Sequence, residues 1–266
     1  MLSKNFLSDK IELLFAQFVK VNGSLRPPID PAALAPLCGV VSIEHRQMVP
    51  EGVLSPVPGG FTIFLQSNFT SQPGVKLRQR FTIAHELAHT FYYDLNGGIP
   101  RRRKDSPKGQ TLERLCHIGA SQILMPEEIL RRELKTKGEV ASTESVLDLS
   151  KVFDVSTEAS IRRLHALEII AGDKFAAILV GSDDGGKRLI QAACYGPLLL
   201  CYAGQPKRGL DFDSWVRPIL GSSVGPSDTE WTHKTALGTV TAKKVFRSRR
   251  SFILDLRFGS PTFDNI

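Results

Sequence analysis

The sequence predicts an α+β protein whose helical first half is interrupted by one small sheet and whose last third is strand-rich. Three observations carry this. Apolar residues recur every three to four positions around residues 7–20, 76–93 and 111–124, the period of an amphipathic helix. Between the first two stretches lie short β-branched and aromatic runs separated by proline and glycine. Past Gly172 the period changes to two.

Leu7, Ile11, Leu14, Phe15 and Phe18 place one face of a first helix. Pro27 and Pro28 break the chain, and Asp30-Pro31 is a capped helix start that serves a short helix to Leu37. Val40–Ile43, Gly52–Leu54 and Phe61–Leu65 read as a small antiparallel sheet, with an edge to which a peptide can add itself as a strand. The next helix is expected from about Lys76 to Tyr93, ended by Asn96-Gly97-Gly98. A basic loop follows, then a helix over 111–124. Its Gly119 and Ala120 are small enough for close packing against another helix. Met125-Pro126 ends it, and Pro126 opens a further helix to about Lys137.

Residues 143–169 read as two short helices around an Asp154-Val155-Ser156 turn, with Ser156 as a cap, and the spacing resembles a helix-turn-helix. Phe175–Val180 and Arg188–Cys194 flank a glycine-rich hairpin turn, and Pro197–Tyr202, Thr239–Phe246 and Ser251–Phe258 are further strands. A helix is expected around Phe212–Leu220. A domain boundary is placed near Ala171.

Composition excludes some classes. With 42% hydrophobic and 23% charged residues the chain has the make-up of a globular protein, and no apolar run reaches about 18 residues, so no membrane span is indicated. Charges break the N-terminal apolar stretch, which predicts a cytoplasmic protein. Cys38, Cys116, Cys194 and Cys201 form no Cys-x-x-Cys pair and are expected as buried free thiols. The net charge of +7 is concentrated at residues 101–110 and 240–250, so the remainder is slightly acidic. Such patches attract nucleic acid or acidic partners, but the simpler reading is a solvated loop and a solvated hairpin end.

The chemistry centres on His85-Glu86-Leu87-Ala88-His89. Two histidines four apart on a helix project from one face and can grip one Zn²⁺, while Glu86 can reach a metal-bound water. A catalytic zinc takes three protein ligands. A third histidine six residues after His89 is excluded, because Leu95 stands there. Asp94, Asp105, Glu113 and His117 are the remaining candidates. Glu113, at the start of the next helix and beside its apolar face, can point at the metal helix when the two pack. It is taken as the third ligand, and His117 as a nearby second ligand-supporting or substrate-side group. Zn²⁺ acidifies its water and polarises a carbonyl, and Glu86 shuttles the proton to the leaving nitrogen. Tyr92, three residues past His89, is the candidate for transition-state stabilisation.

Arg78-Gln79-Arg80-Phe81-Thr82-Ile83-Ala84-His85-Glu86-Leu87-Ala88-His89, with Glu113-Arg114-Leu115-Cys116-His117 running on to Leu124-Met125-Pro126, resembles the two signatures of the ImmA/IrrE family of metallopeptidases. The resemblance implies a zincin-like fold, His85, His89 and Glu113 as ligands and Glu86 as catalytic residue. It departs at His117, where the family usually has Asn. The likeness extends to the IrrE branch. It implies a zinc metallopeptidase domain at 1–138, a helix-turn-helix-like segment at 139–171 and a smaller α/β, GAF- or PAS-like sensory domain at 172–266. It also implies Zn²⁺, with Mn²⁺ as an alternative activating metal, and cleavage of a cytoplasmic helix-turn-helix repressor of stress-response or mobile-element genes. The alternative is a DNA-binding or protein-binding regulator that uses residues 157–169 as a recognition helix. In the last third, Trp231 and His233 are a core pair or pocket lining.

Overall fold

The structure, a computed structural model, describes residues 4–67, 75–136, 143–169, 176–183, 186–194, 201–202, 205–206, 230–235, 238–248 and 251–258. It is helix plus small sheets, an α+β protein. The chain divides into two compact units, Met1–Thr136 with Leu149–Ser156, and Lys137–Asp148 with Thr157–Ile266.

In the first unit, α1 (Lys4–Asn22) buries Leu7, Ile11 and Leu14. The Asp30 carboxylate accepts from the Ala32 amide at 3.0 Å and caps α2 (Pro31–Leu34), with Pro31 in its first turn. A 3₁₀ turn, Ala35–Cys38, follows and ends on Gly39 at φ 75°, a left-handed conformation that glycine adopts without strain.

The first sheet contains β1 (Val40–Arg46), β2 (Gly52–Val57) and β3 (Gly60–Gln66) in the order β1-β3-β2. It is mixed, not antiparallel as the sequence suggested: β2 and β3 form an antiparallel hairpin, but β1 runs parallel to β3. The reason is burial. β3 carries Phe61, Ile63 and Leu65, all nearly inaccessible to solvent, and the most apolar strand takes the centre. The hairpin turns at Pro58-Gly59, with Gly59 at φ 84°, the pairing a type II turn requires. Among the described residues β2 has one strand neighbour, so its other edge pairs with no strand.

Helix α3 (Val75–Thr90) carries the histidine motif. It ends three residues before the expected Tyr93. The Tyr92 amide closes on the His89 carbonyl at 3.1 Å, and the Tyr92 carbonyl accepts from the Arg103 amide and the Ser106 hydroxyl, both at 3.0 Å. These bonds replace another helical turn by a hairpin, β4 (Tyr93–Asp94) against β5 (Arg101–Arg102). The basic run is therefore an ordered strand and turn, not a free loop. Arg103 pairs with Asp94 and Asp105 and lies over the Phe6 ring.

Helix α4 (Gly109–Leu124) packs on α3, and α5 (Glu127–Thr136) follows Pro126. A Cβ built at Gly119 would come 2.8 Å from the Ala88 Cβ and 3.2 Å from a Leu7 methyl, so glycine sets how closely α4 approaches α3 and α1. Arg80, five residues before His85, ties α3 to two other segments. Its guanidinium donates to the carbonyls of Ile29 (2.7 Å), Phe153 and Asp154. It also pairs, with Lys76, to the Asp154 carboxylate.

Two further helices, α6 (Thr143–Val152) and α7 (Thr157–Ala166), flank a turn in which Asp154 has φ 51°. In the second unit, β6 (Ala176–Asp183), β7 (Gly186–Cys194), β10 (Glu230–Thr235), β11 (Gly238–Ser248) and β12 (Ser251–Phe258) form an antiparallel sheet in the order β10-β11-β12-β6-β7. Two short strands, β8 (Cys201–Tyr202) and β9 (Gln205–Pro206), pair separately. Trp231 and His233 lie on β10, a strand the sequence reading passed over. The helix expected at Phe212–Leu220 and the boundary near Ala171 lie outside the described residues, as does most of the strand expected to start at Pro197. No helix among the described residues is long and apolar enough to cross a membrane.

Candidate metal centre and its cleft

The centre forms where α3 crosses α4. His85 and His89, one helical turn apart, direct their Nε2 atoms to a common point with a separation of 3.1 Å. Glu113, in the second turn of α4, brings Oε2 to 3.2 Å from His85 Nε2 and Oε1 to 3.6 Å from His89 Nε2. The three ligand-type atoms lie within 4.8 Å of one another.

These separations can be set against the demands of a cation. Tetrahedral zinc with bonds of roughly 2.0–2.2 Å needs ligand-to-ligand edges of about 3.3–3.6 Å. The observed 3.1, 3.2 and 3.6 Å fit that triangle with minor adjustment. The donor set of two imidazoles and a carboxylate is one that catalytic zinc takes.

Electrostatics point the same way. Burial, followed by the fields of His89 and His117, pushes the His85 imidazole down to about 4, against the opposing pull of Glu113. Burial also lowers His89, and the Arg102 guanidinium adds to the effect. Both rings are held neutral, the form that binds metal. His85 Nδ1 is buried with no hydrogen-bond partner among the described residues. Its ring is instead seated against His117 (centroids 4.6 Å apart) and Phe81 (6.4 Å). Packing orients it where a hydrogen bond to the second nitrogen is the commoner device.

Glu86 is 7% exposed. Burial raises its carboxyl to about 7, while a hydrogen bond from the Leu54 amide holds it back and the Glu113 charge adds to the rise. A carboxyl poised near neutrality suits a proton carrier. Strand β2 reaches Glu86 because residue 52 is glycine. A Cβ there would meet the Thr82 methyl and come within 3.0 Å of a Glu86 oxygen.

These groups line a cleft of about 460 Å³. Residues Glu51–Leu54 form one wall, and Tyr93 and Arg102 of the β4–β5 hairpin contribute another. His117 lines the cleft as well, exposed and stacked on Phe81 at 5.6 Å. Tyr92 does not. It is fully buried against Phe6, in a cluster with Ala88, Leu112, Leu115 and Cys116, and its hydroxyl has no partner there. The Tyr92 assignment is thus corrected: α3 stops at Thr90, so helical spacing from His89 no longer applies, and the adjacent Tyr93 turns to the cleft. Asp94 and Asp105, the other acids considered as ligands, pair with Arg103 outside the cleft lining. The sequence singled out neither Arg102 nor Tyr93 for the cleft, and of the small sheet it placed a substrate edge without saying which strand forms it. The Arg101–Lys104 run was visible, but only the hairpin register decides which of its members faces the cleft.

Residues 62–165 match the family model described as the IrrE N-terminal-like domain. This stretch is similar to the metallopeptidase domain of the ImmA/IrrE family. The radiation response metalloprotease IrrE of Deinococcus radiodurans is 32% identical over 90 residues, covering 33% of this chain and 27% of that protein. The protein of the same name from Deinococcus deserti is 31% identical over 90 residues, 33% of this chain and 31% of its own. The alignment thus spans less than a third of either relative. A Mycobacterium tuberculosis transcriptional regulator superposes on 96% of this chain and 80% of its own, at 15% identity and a TM-score of 0.40, too low to establish a common fold. The family implies a divalent metal, and the His85, His89 and Glu113 triangle is a group that fits one.

Proposed function

We propose that the chain is a site-specific metalloendopeptidase in which His85, His89 and Glu113 hold a divalent cation, zinc by donor type, and Glu86 is the general base. The observation that supports it most is the convergence of three ligand-type atoms beside a buried carboxyl, inside a cleft bordered by a strand edge. A cation at that point supplies Lewis-acid chemistry, polarising a carbonyl and acidifying water. Glu86 takes a proton from the attacking water and delivers it to the departing amide nitrogen. The Leu54 amide holds the Glu86 carboxylate in place for both transfers. Apart from the Leu54 amide, which Glu86 takes, the edge of β2 offers backbone groups with which an extended peptide can pair, and so aligns its scissile bond along the cleft. His117, stacked on Phe81, forms an aromatic shelf at the cleft, where it contacts substrate or supports His85.

The substrate class is protein. The finer reading is a small cytoplasmic helix-turn-helix repressor whose cleavage releases stress-response or mobile-element genes. Residues 172–266 would serve as a GAF-like sensory region. The names of the Deinococcus relatives, radiation response metalloproteases, support a protease acting in a stress response; the repressor and the sensory region rest on the resemblance to the IrrE branch. The test uses the full chain loaded with zinc or manganese and a helix-turn-helix repressor encoded beside it. A single cut is expected, absent in Glu86→Gln at unchanged metal content. Cutting by Glu86→Gln protein would remove the base assignment, and no cutting of any such repressor would remove the substrate class.

A further inference from the structure

The β4–β5 hairpin brings to the cleft one cation that has no ion-pair partner among the described residues. Arg102 is exposed, lies across the β4–β5 ladder from Tyr93 and lines the same cleft as the three ligand-type residues. Its position is set by the fold. Arg102 Nη2 donates to the Pro107 carbonyl at 3.0 Å, and the strand before it is anchored by the Tyr93 ring on Phe61, edge to face at 5.2 Å.

The other charged groups of the lining have partners or tasks. Glu51 pairs with Arg78 at 3.5 Å, Glu113 faces the two histidines, and Glu86 is buried under β2. The neighbouring Arg103 is neutralised by Asp94 and Asp105. Among the described residues no carboxylate lies within ion-pair distance of Arg102. A guanidinium held by a backbone carbonyl, facing a substrate cleft and lacking a counter-charge, is preorganised for a carboxylate, which it can receive through two parallel hydrogen bonds.

We propose that Arg102 is a specificity-determining residue that selects peptides with an aspartate or glutamate side chain beside the scissile bond. This rests on the metallopeptidase reading above. The cation sets the reacting carbonyl, β2 sets the strand direction, and Arg102 then reads one side chain by charge.

The test measures binding, so it does not depend on turnover. Two series of peptide hydroxamates, extending to either side of the metal-binding group, carry Glu, Gln or Lys next to it. Their affinity for the zinc-loaded full chain is measured by calorimetry. In one series Glu should bind about tenfold more tightly than Gln, with Lys weaker still. Arg102→Gln should erase that order and Arg102→Glu should invert it, at unchanged zinc content and circular dichroism. Arg102→Lys should keep part of the preference. The Glu advantage should shrink in high salt. Equal binding of Glu, Gln and Lys in both series, or a Glu preference that survives Arg102→Gln, overturns the assignment and leaves the metal centre standing. Failure of every hydroxamate to bind overturns the metallopeptidase reading and the Arg102 assignment with it.

Discussion

On one side of the cleft, His85, His89 and Glu113 ride on two long helices that meet at Ala88 and Gly119. On the other, Gly52–Leu54 and Arg102 ride on strands of six residues and two. The helical side places the ligand-type atoms through i,i+4 geometry and a tight helix crossing. The strand side presents backbone groups and one cation whose positions depend on turns and register. Chemistry that needs a fixed point is placed on the first, and recognition of an extended chain on the second.

Breaking the helical side should cost most. Glu86→Gln should lower kcat by roughly 10²–10⁴-fold, the span usual for a general base, with metal still bound. Retained activity would remove Glu86 from the mechanism. Glu113→Ala should weaken metal binding by at least about 100-fold, beyond what loss of a group that merely supports a ligand costs. Competition with a chelator measures it, and unchanged affinity would show that α4 supplies no ligand.

The strand side is tested at Gly52. Gly52→Ala should lower kcat about tenfold by pressing on Thr82 and the Glu86 carboxylate, and Thr82→Ser, which removes the methyl and keeps the hydroxyl bond to the Arg78 carbonyl, should restore part of it. Additive effects of the two changes would show that β2 does not bear on Glu86.

Two smaller effects concern stability. Gly119→Ala gains about 1 kcal/mol in helix propensity, but its Cβ would sit 2.8 Å from that of Ala88, an overpacking that costs about 1–3 kcal/mol. A net loss of about 1 kcal/mol in chemical denaturation is expected, together with weaker metal binding as Glu113 moves off the histidine pair. A gain in stability would mean that the two helices part without cost. The pH dependence has a definite sign. Glu86 is raised to about 7 in the folded, metal-free protein, against 4.5 in the unfolded chain, so its burial penalises the fold above pH 7 and the penalty fades as pH falls toward 4.5. Metal-free Glu86→Gln should therefore be more stable than wild type by about 1–3 kcal/mol at pH 8, with the gap closing on acidification. A constant gap across that range would refute the buried-carboxylate account.

Much of the helical side is legible in the sequence. The His85–His89 spacing, the apolar stripe that places Glu113 at the start of α4, the small Gly119 and the Asp30 cap are all local patterns, and helices express local patterns directly. The strand side is much less so. Nothing local makes β1 run parallel to β3, because which strand takes the centre depends on how the whole sheet is covered. Tyr92 was misread for a related reason: three residues past His89 is the ligand side only if the helix continues, and the Tyr92 carbonyl is instead taken by Arg103 and Ser106.

The sequence by itself determined the ligand types, their spacing and the helical segments that carry them, since each depends on contacts within about one turn of chain. Only the tertiary structure decided that Glu113 Oε2 meets His85 Nε2 at 3.2 Å, that Leu54 holds Glu86, and that Tyr93 and Arg102, not Tyr92, face the cleft. Those facts depend on strand order, on a helix end set by competing hydrogen bonds, and on two glycines that let separate elements approach more closely than any side chain allows.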